Sequence, residues 1–433
     1  MDPVAFLVVA LSVVVYSWTF YNLPVLLTGL RRHVRENSGT SHGKGTCATD
    51  DDLTTFSVVV PAKNEEPVLS RLLDALLHQN YPRGKFEVIV VEDGSTDATL
   101  GICERYASAN QGRVRLVHGG SSSGKPSALN RALTVSKGDI VCVFDADSVP
   151  EQNALLNAAR HFRDKSVAAL QGRVQTLNSE VNMLTKFVSY EEAAWCEGYL
   201  NGKDALGLFV HLRGSCQFIR RSVLESLGGW SDRHLSEDME ISARLTERGC
   251  RIKYASDVCS WQESPESMVQ MFRQRIRWYR GSMEVALKYG RLIRKPSFRT
   301  LDAEATLLGP FVLIVSFLSY LLGPLVFASL DGSVVWLLTF GGWAALTTTL
   351  AAGAVGLLSV ARPKRKRDVL WLPFIYAYWS FQVLLATCAL LRIVFKAPRE
   401  WKRTPRTGTI ASADSNLRIQ IEGHSSDREA TAL

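Results

Sequence analysis

The sequence predicts an α/β domain on a doubly wound sheet, joined to α-helical transmembrane segments. Three observations predict it. Short β-branched apolar runs alternate with amphipathic stretches from Phe56 to Phe144. Long, almost uncharged apolar runs flank the middle of the chain on both sides. Acidic or glycine-rich clusters follow the short runs, at the strand ends where open parallel sheets bind ligands.

The chain has 433 residues, a net charge of +8 and 46% hydrophobic residues. Met1–Leu30 carries one charge, Asp2, and three further runs lie at Leu307–Leu330, Val334–Val360 and Val369–Phe395. Each reaches the roughly 20 residues that cross a bilayer core. The first run is read as a retained anchor. Met1-Asp2-Pro3 supplies no basic leader, the run is long, and no small-x-small cleavage site follows. Arg31, Arg32 and Arg35 come next, so the positive-inside rule places the central domain in the cytosol at the cell membrane. Arg362, Lys364, Arg365, Lys366 and Arg367 mark a second cytosolic loop, with Asp331-Gly332-Ser333 outside. Lys396, Arg399, Lys402, Arg403 and Arg406 keep the tail inside, which leaves one run too many. Val369–Phe395 is taken as re-entrant or interfacial, because Pro373 and the belt Tyr376-Ala377-Tyr378-Trp379 weaken it as a span.

The predicted order is an anchor over 1–30, a polar linker over 31–54 and an α/β domain over 55–263. Amphipathic interfacial helices follow over 264–300, C-terminal transmembrane or re-entrant helices over 301–397, and a cytosolic tail over 398–433 with a disordered end. The positive charge clusters beside the apolar runs, where it sets topology and meets anionic lipid, so nucleic acid is not the expected partner. Eight scattered cysteines without a CxxC pair read as reduced thiols.

Within the domain, FSVVVP, FEVIVV, VRLVH and IVCVF read as strands. Helices at Glu66–His78, Thr96–Ala109 and Pro126–Val135 separate them, giving parallel β-α-β units. Leu170–Asn178 reads as a further strand, and Arg213–Trp230 as loop, strand and short helix. The first strand leads into PAKNEE (Pro61–Glu66), the second into EDGSTD (Glu92–Asp97) and the fourth into DADS (Asp145–Ser148). Gly119–Asn130 is a glycine-rich loop, but it lacks P-loop spacing. Asp93-Gly94 suits a turn, and Ser95 or Asp97 suits a helix cap.

Asp145 and Asp147 stand two residues apart just past a buried strand, where their charges repel. A hard divalent ion, Mg²⁺ or Mn²⁺, takes such oxygens together with substrate phosphates. Further along, Ser236 caps a helix whose first turn holds Glu237, Asp238 and Glu240, all favoured by the helix dipole. Phe272–Gly281 sets four arginines among apolar and aromatic residues. On a helix Gln274, Arg277 and Trp278 share one face. Lipid binding explains arginines and aromatics in general; a Gln-Arg-Trp face also suits a phosphate clamp beside a flat apolar platform.

PAKNE, EDGSTD, DAD, SED and QRIRW, in that order, resemble the motifs of the membrane-bound inverting family 2 glycosyltransferases. Among these the chain looks most like the processive cellulose, hyaluronan, chitin and poly-N-acetylglucosamine synthases. The resemblance covers about Phe56 to Gly281, continues in the C-terminal apolar runs and includes the tail WKRTPRTG (Trp401–Gly408). It implies a GT-A fold and a nucleotide-sugar donor, usually a UDP-sugar, with Mg²⁺ or Mn²⁺ as cofactor. By resemblance Ala62, Glu65 and Asp93 hold the nucleoside, Lys125 sits near the base or diphosphate, and Asp145 approaches the ribose. Asp147 binds the metal, with Asp145 beside it. Asp238 is the general base, Gln274 and Arg277 hold the diphosphate, and Trp278 meets the acceptor. Glu92 stands where many relatives have Asp. The implied product is a β-linked polysaccharide made processively; the alternative is a single sugar placed on a membrane lipid. The acceptor is a growing glycan or a lipid, and an oligomer or accessory subunit could complete a small membrane bundle.

Overall fold

The computed structural model describes residues 3–37, 53–120, 124–290, 292–294, 296–327, 332–360, 370–399 and 404–410. The chain divides into two compact units. One comprises His42–Glu192, Val210–Gln270 and Trp401–Leu433; the other comprises Met1–Ser41, Ala193–Phe209 and Met271–Glu400.

The first unit carries the sheet. Its strands are β1 (Phe56–Ala62), β2 (Phe86–Glu92), β3 (Val114–His118), β4 (Ile140–Val143), β5 (Val149–Pro150), β6 (Val167–Thr176), β7 (Gln217–Arg220) and β8 (Arg251–Gln262). Its helices, in chain order after α1 of the other unit, are α2 (Leu69–Leu77), α3 (Thr99–Ala109), α4 (Lys125–Val135), α5 (Ala154–Phe162), α6 (Met183–Ala193), α8 (Arg221–Ser226) and α9 (Glu237–Glu247), with α7 again in the other unit. The strands lie in the order β3-β2-β1-β4-β7-β6-β8-β5.

The doubly wound pattern holds for the first half, where β3, β2, β1 and β4 are all parallel. Pairing register sets Ala62 beside Glu92, so the ends of β1 and β2 deliver their polar clusters to one edge. Beyond β4, where the sequence pattern sets no strand direction, β7 is antiparallel to both β4 and β6, and β5 is antiparallel to β8, so the sheet is mixed. The physical driver is burial. Val58, Val59 and Val60 in β1 and Val88 to Val91 in β2 are covered on both faces, as β-branched runs in a parallel sheet should be. Leu69, Leu72, Leu73 and Leu76 of α2 recur at helical spacing and are all fully buried. Each such side chain contributes about 1.5–3 kcal/mol of transfer free energy.

The second unit holds α1 (Pro3–Asn37), α7 (Asn201–Ala205), α10 (Met268–Tyr289, from Met271 onward), α11 (Phe298–Phe327), α12 (Gly332–Val360) and α13 (Leu372–Val394). Segments of α1, α11 and α13, namely Phe6–Glu36, Phe298–Ser319 and Pro373–Val394, are long and apolar enough to cross a membrane; α12 contributes the apolar stretch Gly332–Ala345. Several boundaries differ from the sequence reading. Past residue 31, where the linker is expected, α1 continues to Asn37 with Arg35 in a last turn that favours cations. Most of the expected linker lies outside the described residues. The stretch expected as interfacial helices is mainly one 22-residue helix, α10, and α11 starts at Phe298. Pro373 sits in the first turn of α13, where a missing N–H costs nothing, so the helix is uninterrupted.

Ala193–Phe209 falls within the stretch expected as α/β domain, 55–263, but belongs to this unit. The backbones of α1 and α7 approach closely at Gly202, where a Cβ would lie 1.9 Å from the Val25 carbonyl oxygen. The Lys203 ammonium donates to Asp302 Oδ1 and Oδ2 at 2.8 and 2.9 Å, and Asp302 also accepts from the Phe209 N–H and the Tyr21 hydroxyl. Both charged side chains are buried. Truncating Lys203 therefore strands a buried carboxylate. Lys203→Ala should cost this unit about 3–5 kcal/mol, read as a lowered unfolding midpoint in detergent. An unchanged midpoint would contradict the pairing.

Candidate active site

The acidic clusters of the first unit gather at the carboxyl ends of β1, β2 and β4. Ala62 closes β1, is buried, and accepts the Asp93 N–H at its carbonyl, 2.9 Å away. Asn64 follows with a φ of 54°, a left-handed conformation that asparagine tolerates. Its side-chain oxygen accepts the Thr96 N–H at 2.7 Å, tying PAKNEE to EDGSTD. The Glu65 N–H donates to Thr99 Oγ1 at 2.7 Å, and the Glu65 carbonyl accepts from Val68 and Leu69 at the start of α2. Asp93 Oδ2 accepts the Gly124 N–H at 3.0 Å, and its Oδ1 lies 3.7 Å from Arg131 Nη1. Ala62, Glu65 and Asp93 are thus brought together, and the glycine-rich loop is fastened to them. Glu92 has a local task, since its carboxylate accepts the Ser95 N–H.

Lys125 is the hub of the next group. Its ammonium lies 2.6 Å from Asp145 Oδ1, 3.0 Å from the Gly214 carbonyl and 3.4 Å from Glu237 Oε1. Burial works against its charge, but Asp145, Glu237 and Asp238 outweigh burial and raise its pKa. One ammonium therefore joins the turn after β4, the loop before β7 and the first turn of α9. Gly214 makes this approach possible. Its φ is +81°, and a Cβ would lie 3.2 Å from Lys125 Nζ and 3.3 Å from Asp238 Oδ2. The loop is pinned from below: Gln171 of β6 accepts the Arg213 N–H at 2.8 Å and donates to the Ser215 carbonyl at 3.0 Å.

Asp238 sits in the first turn of α9. Its Oδ1 accepts the Met239 N–H at 2.8 Å, which turns Oδ2 toward Gly214. Burial, reinforced by neighbouring Glu237 and offset in part by Lys125, pushes its pKa up to about 7. Ser236 occupies the cap position as expected, but its side chain makes no capping hydrogen bond. Ser95 and Asp97 likewise precede the start of α3, where Ala98 is the cap residue and Asp97 Oδ1 accepts the Thr99 N–H at 3.0 Å.

Asp145 and Asp147 share the Gln262 side-chain amide, which donates to Asp145 Oδ2 at 3.4 Å and Asp147 Oδ1 at 3.3 Å. Asp147 is 3% exposed. Its Oδ2 has no hydrogen-bonding partner among the described residues, and Arg406 Nη2 lies 3.0 Å away as an ion pair. Burial raises the Asp147 pKa; Arg406 opposes this and Asp145 adds to it. A buried carboxylate oxygen lacking a hydrogen bond, with a second carboxylate two residues away, fits a divalent ion that takes its remaining ligands from phosphates and water. No group of three metal-ligating side chains occurs among the described residues.

Gln274, Arg277 and Trp278 belong to the other unit, on α10. Gln274 is buried, and the Arg275 guanidinium lies 4.6 Å over the Trp278 ring. Sequence reasoning missed Gln262, Gly214, Glu237, Arg406 and Glu263 as parts of the acidic region. Glu237 and Arg406 stood in motifs already singled out; Gln262 and Glu263 lie at and just beyond the end of a strand, β8, that was not anticipated.

The fold is of the GT-A glycosyltransferase type. It is similar to the mannosyltransferase PcManGT from Pyrobaculum calidifontis, solved with GDP-Man and Mn²⁺, with a TM-score of 0.57, 23% identity and coverage of 90% of this chain and 100% of that one. Residues 54–281 match the family described as glycosyltransferase like family 2, and the chain belongs to it. It is 34% identical over 242 residues to a probable glycosyltransferase of Bacillus subtilis, covering 55% of this chain and 57% of that protein. It is 32% identical over 246 residues to the beta-monoglucosyldiacylglycerol synthase of a Nostoc species, covering 56% of this chain and 52% of that protein. An N-acetylglucosaminyltransferase of Mesorhizobium japonicum is 29% identical over 279 residues, covering 61% and 65%. The match thus spans little more than half the length of the first two relatives.

Proposed function

We propose that this family 2 transferase moves a sugar from a nucleoside diphosphate donor, a UDP-sugar, to a hydroxyl of a membrane-held acceptor, with inversion. The observation that carries this reading is the Lys125 hub, which draws Asp145 and Glu237 together and leaves Asp238 Oδ2 facing the same loop. Ala62, Glu65 and Asp93 line the nucleoside end. Asp147, with Asp145 beside it, would hold Mg²⁺ or Mn²⁺, which supplies positive charge to the departing diphosphate. Asp238 Oδ2 takes the proton from the acceptor hydroxyl as that oxygen bonds the anomeric carbon. The bond from that carbon to the diphosphate oxygen breaks, and its electron pair leaves with the nucleotide. One displacement at the carbon inverts it. Gln274 and Arg277 are proposed to reach the diphosphate, and Trp278 the acceptor.

The apolar helices and the basic residues flanking them support a membrane location with the sheet domain on the cytosolic side. A lipid acceptor is favoured by the similarity to a diacylglycerol-type synthase and by the small set of long apolar helices among the described residues. The Gln-Arg-Trp face favours the second reading, processive synthesis of a β-linked polysaccharide. Purified protein incubated with a panel of labelled donors separates them: a single-sugar lipid supports the first, a long polymer the second. Release of no nucleotide with any donor and metal would overturn both.

A further inference from the structure

Three successive amides in the loop before β7 each donate to a side chain. The Leu212 N–H donates to Ser242 Oγ at 2.8 Å, the Arg213 N–H to Gln171 Oε1 at 2.8 Å and the Gly214 N–H to Gln217 Oε1 at 3.3 Å. The acceptors come from α9, β6 and β7 in turn. All three acceptor residues are buried, where a backbone N–H needs its partner. The course of the loop is therefore set by side chains.

Ser242 differs from the two glutamines in what else it holds. Its hydroxyl donates to the Asp238 carbonyl at 2.6 Å, one turn back along α9. A serine inside a helix commonly makes this bond to residue i−4. Thr246 makes the same bond to the Ser242 carbonyl, at 2.9 Å. The Ser242 oxygen also takes the Leu212 amide, which lies 30 residues earlier in the chain. One hydroxyl thus ties the backbone of Asp238 to the loop that carries Gly214. The Gly214 carbonyl accepts Lys125 Nζ at 3.0 Å, and a Cβ on Gly214 would lie 3.3 Å from Asp238 Oδ2. The next residue fastens the loop to the turn after β4. Ser215 Oγ accepts the Asp145 N–H at 3.1 Å and lies 2.9 Å from Ser148 Oγ.

We infer that Ser242 is a positioning residue for the proposed transfer: its hydroxyl holds Asp238 against the Leu212–Ser215 loop and so fixes the separation between the base and the Asp145 turn. Ser242 is fully buried, so it acts through Asp238 and not on substrate. The inference rests on the reading of Asp238 as base.

The test measures donor binding and transfer separately, on the full chain in detergent. Ser242→Ala removes both bonds of the hydroxyl. Misplacing a reacting group by about 1 Å costs on the order of 10²-fold, so kcat should fall about 10–10²-fold. Donor affinity should stay at the wild-type value, which also reports that the variant is folded. The pH midpoint of kcat/KM should rise above about 7, because Lys125 lowers the Asp238 pKa and the loosened loop is what holds Lys125. Ser242→Thr keeps the hydroxyl and should recover most of the turnover. Thr246→Ala deletes the same kind of helix bond one turn further on and should change neither kcat nor the midpoint. The role is overturned by wild-type turnover and midpoint in Ser242→Ala, by a loss of donor binding as large as the loss of turnover, or by an equal loss in Thr246→Ala. Asp238→Asn separates the two levels. If it turns over normally, Asp238 is not the base and the role of Ser242 fails with it. If it is inactive while Ser242→Ala behaves as wild type, only the positioning role has failed.

Discussion

Asp238→Asn should lose sugar transfer by on the order of 10²–10⁴-fold, the range that a positioned base supplies, while still binding donor. The amide keeps the size and the Met239 contact but cannot accept the proton of an attacking hydroxyl. The wild-type pH profile should carry the same signature. With its pKa raised to about 7, the Asp238 carboxyl is mostly neutral below that pH and ionised above it. kcat/KM should therefore climb with pH and level off above about 7, as expected when the base must be ionised in the free enzyme. Transfer assays between pH 5 and 9 with a saturating metal measure this. A profile flat across the range, or near-normal turnover by Asp238→Asn, would remove Asp238 from the role of base.

Asp147→Ala carries the second large effect, and it falls on donor binding. Its side chain is the buried carboxylate on which a divalent ion would rest. Losing that ion removes several kcal/mol of charge stabilisation, so donor affinity measured with Mg²⁺ or Mn²⁺ should fall on the order of 10²-fold or more. The same titration in chelator should show wild type and variant binding equally weakly. Calorimetry or a fluorescent nucleotide analogue gives both numbers. Metal-dependent binding that survives the substitution would send the cation elsewhere.

Asp93, Asp145 and Asp147 were legible in the sequence because each follows an apolar strand, and a parallel sheet delivers such ends to one edge; Asp238, at the start of a helix, was legible only through its motif. Ala62, Asp93 and Asp145 needed only the strand pattern to be placed, and their motif order supplied the family. Strand direction beyond β4 was not legible. QFIR sets Gln217 and Arg220 around two apolar residues, and β8 mixes polar and charged residues with apolar ones; neither pattern encodes whether a strand pairs parallel or antiparallel. The end of α1 was missed for a related reason: Arg31, Arg32 and Arg35 look like a boundary by polarity, yet basic residues suit a helix C-terminus. Least legible were the contacts between distant segments. Nothing local in RTPRTG says that Arg406 meets Asp147, or that Gln262 spans Asp145 and Asp147. Such pairings are set by how the chain closes on itself, and no periodicity records them.

In the proposed reaction a single carboxylate base, Asp238, drives one displacement at the sugar's anomeric carbon. The configuration of that carbon in the product, read by nuclear magnetic resonance from a donor of known anomer, tests it most directly. One displacement by the acceptor hydroxyl gives the opposite configuration, β from an α-linked donor. A product that keeps the donor's configuration would contradict it.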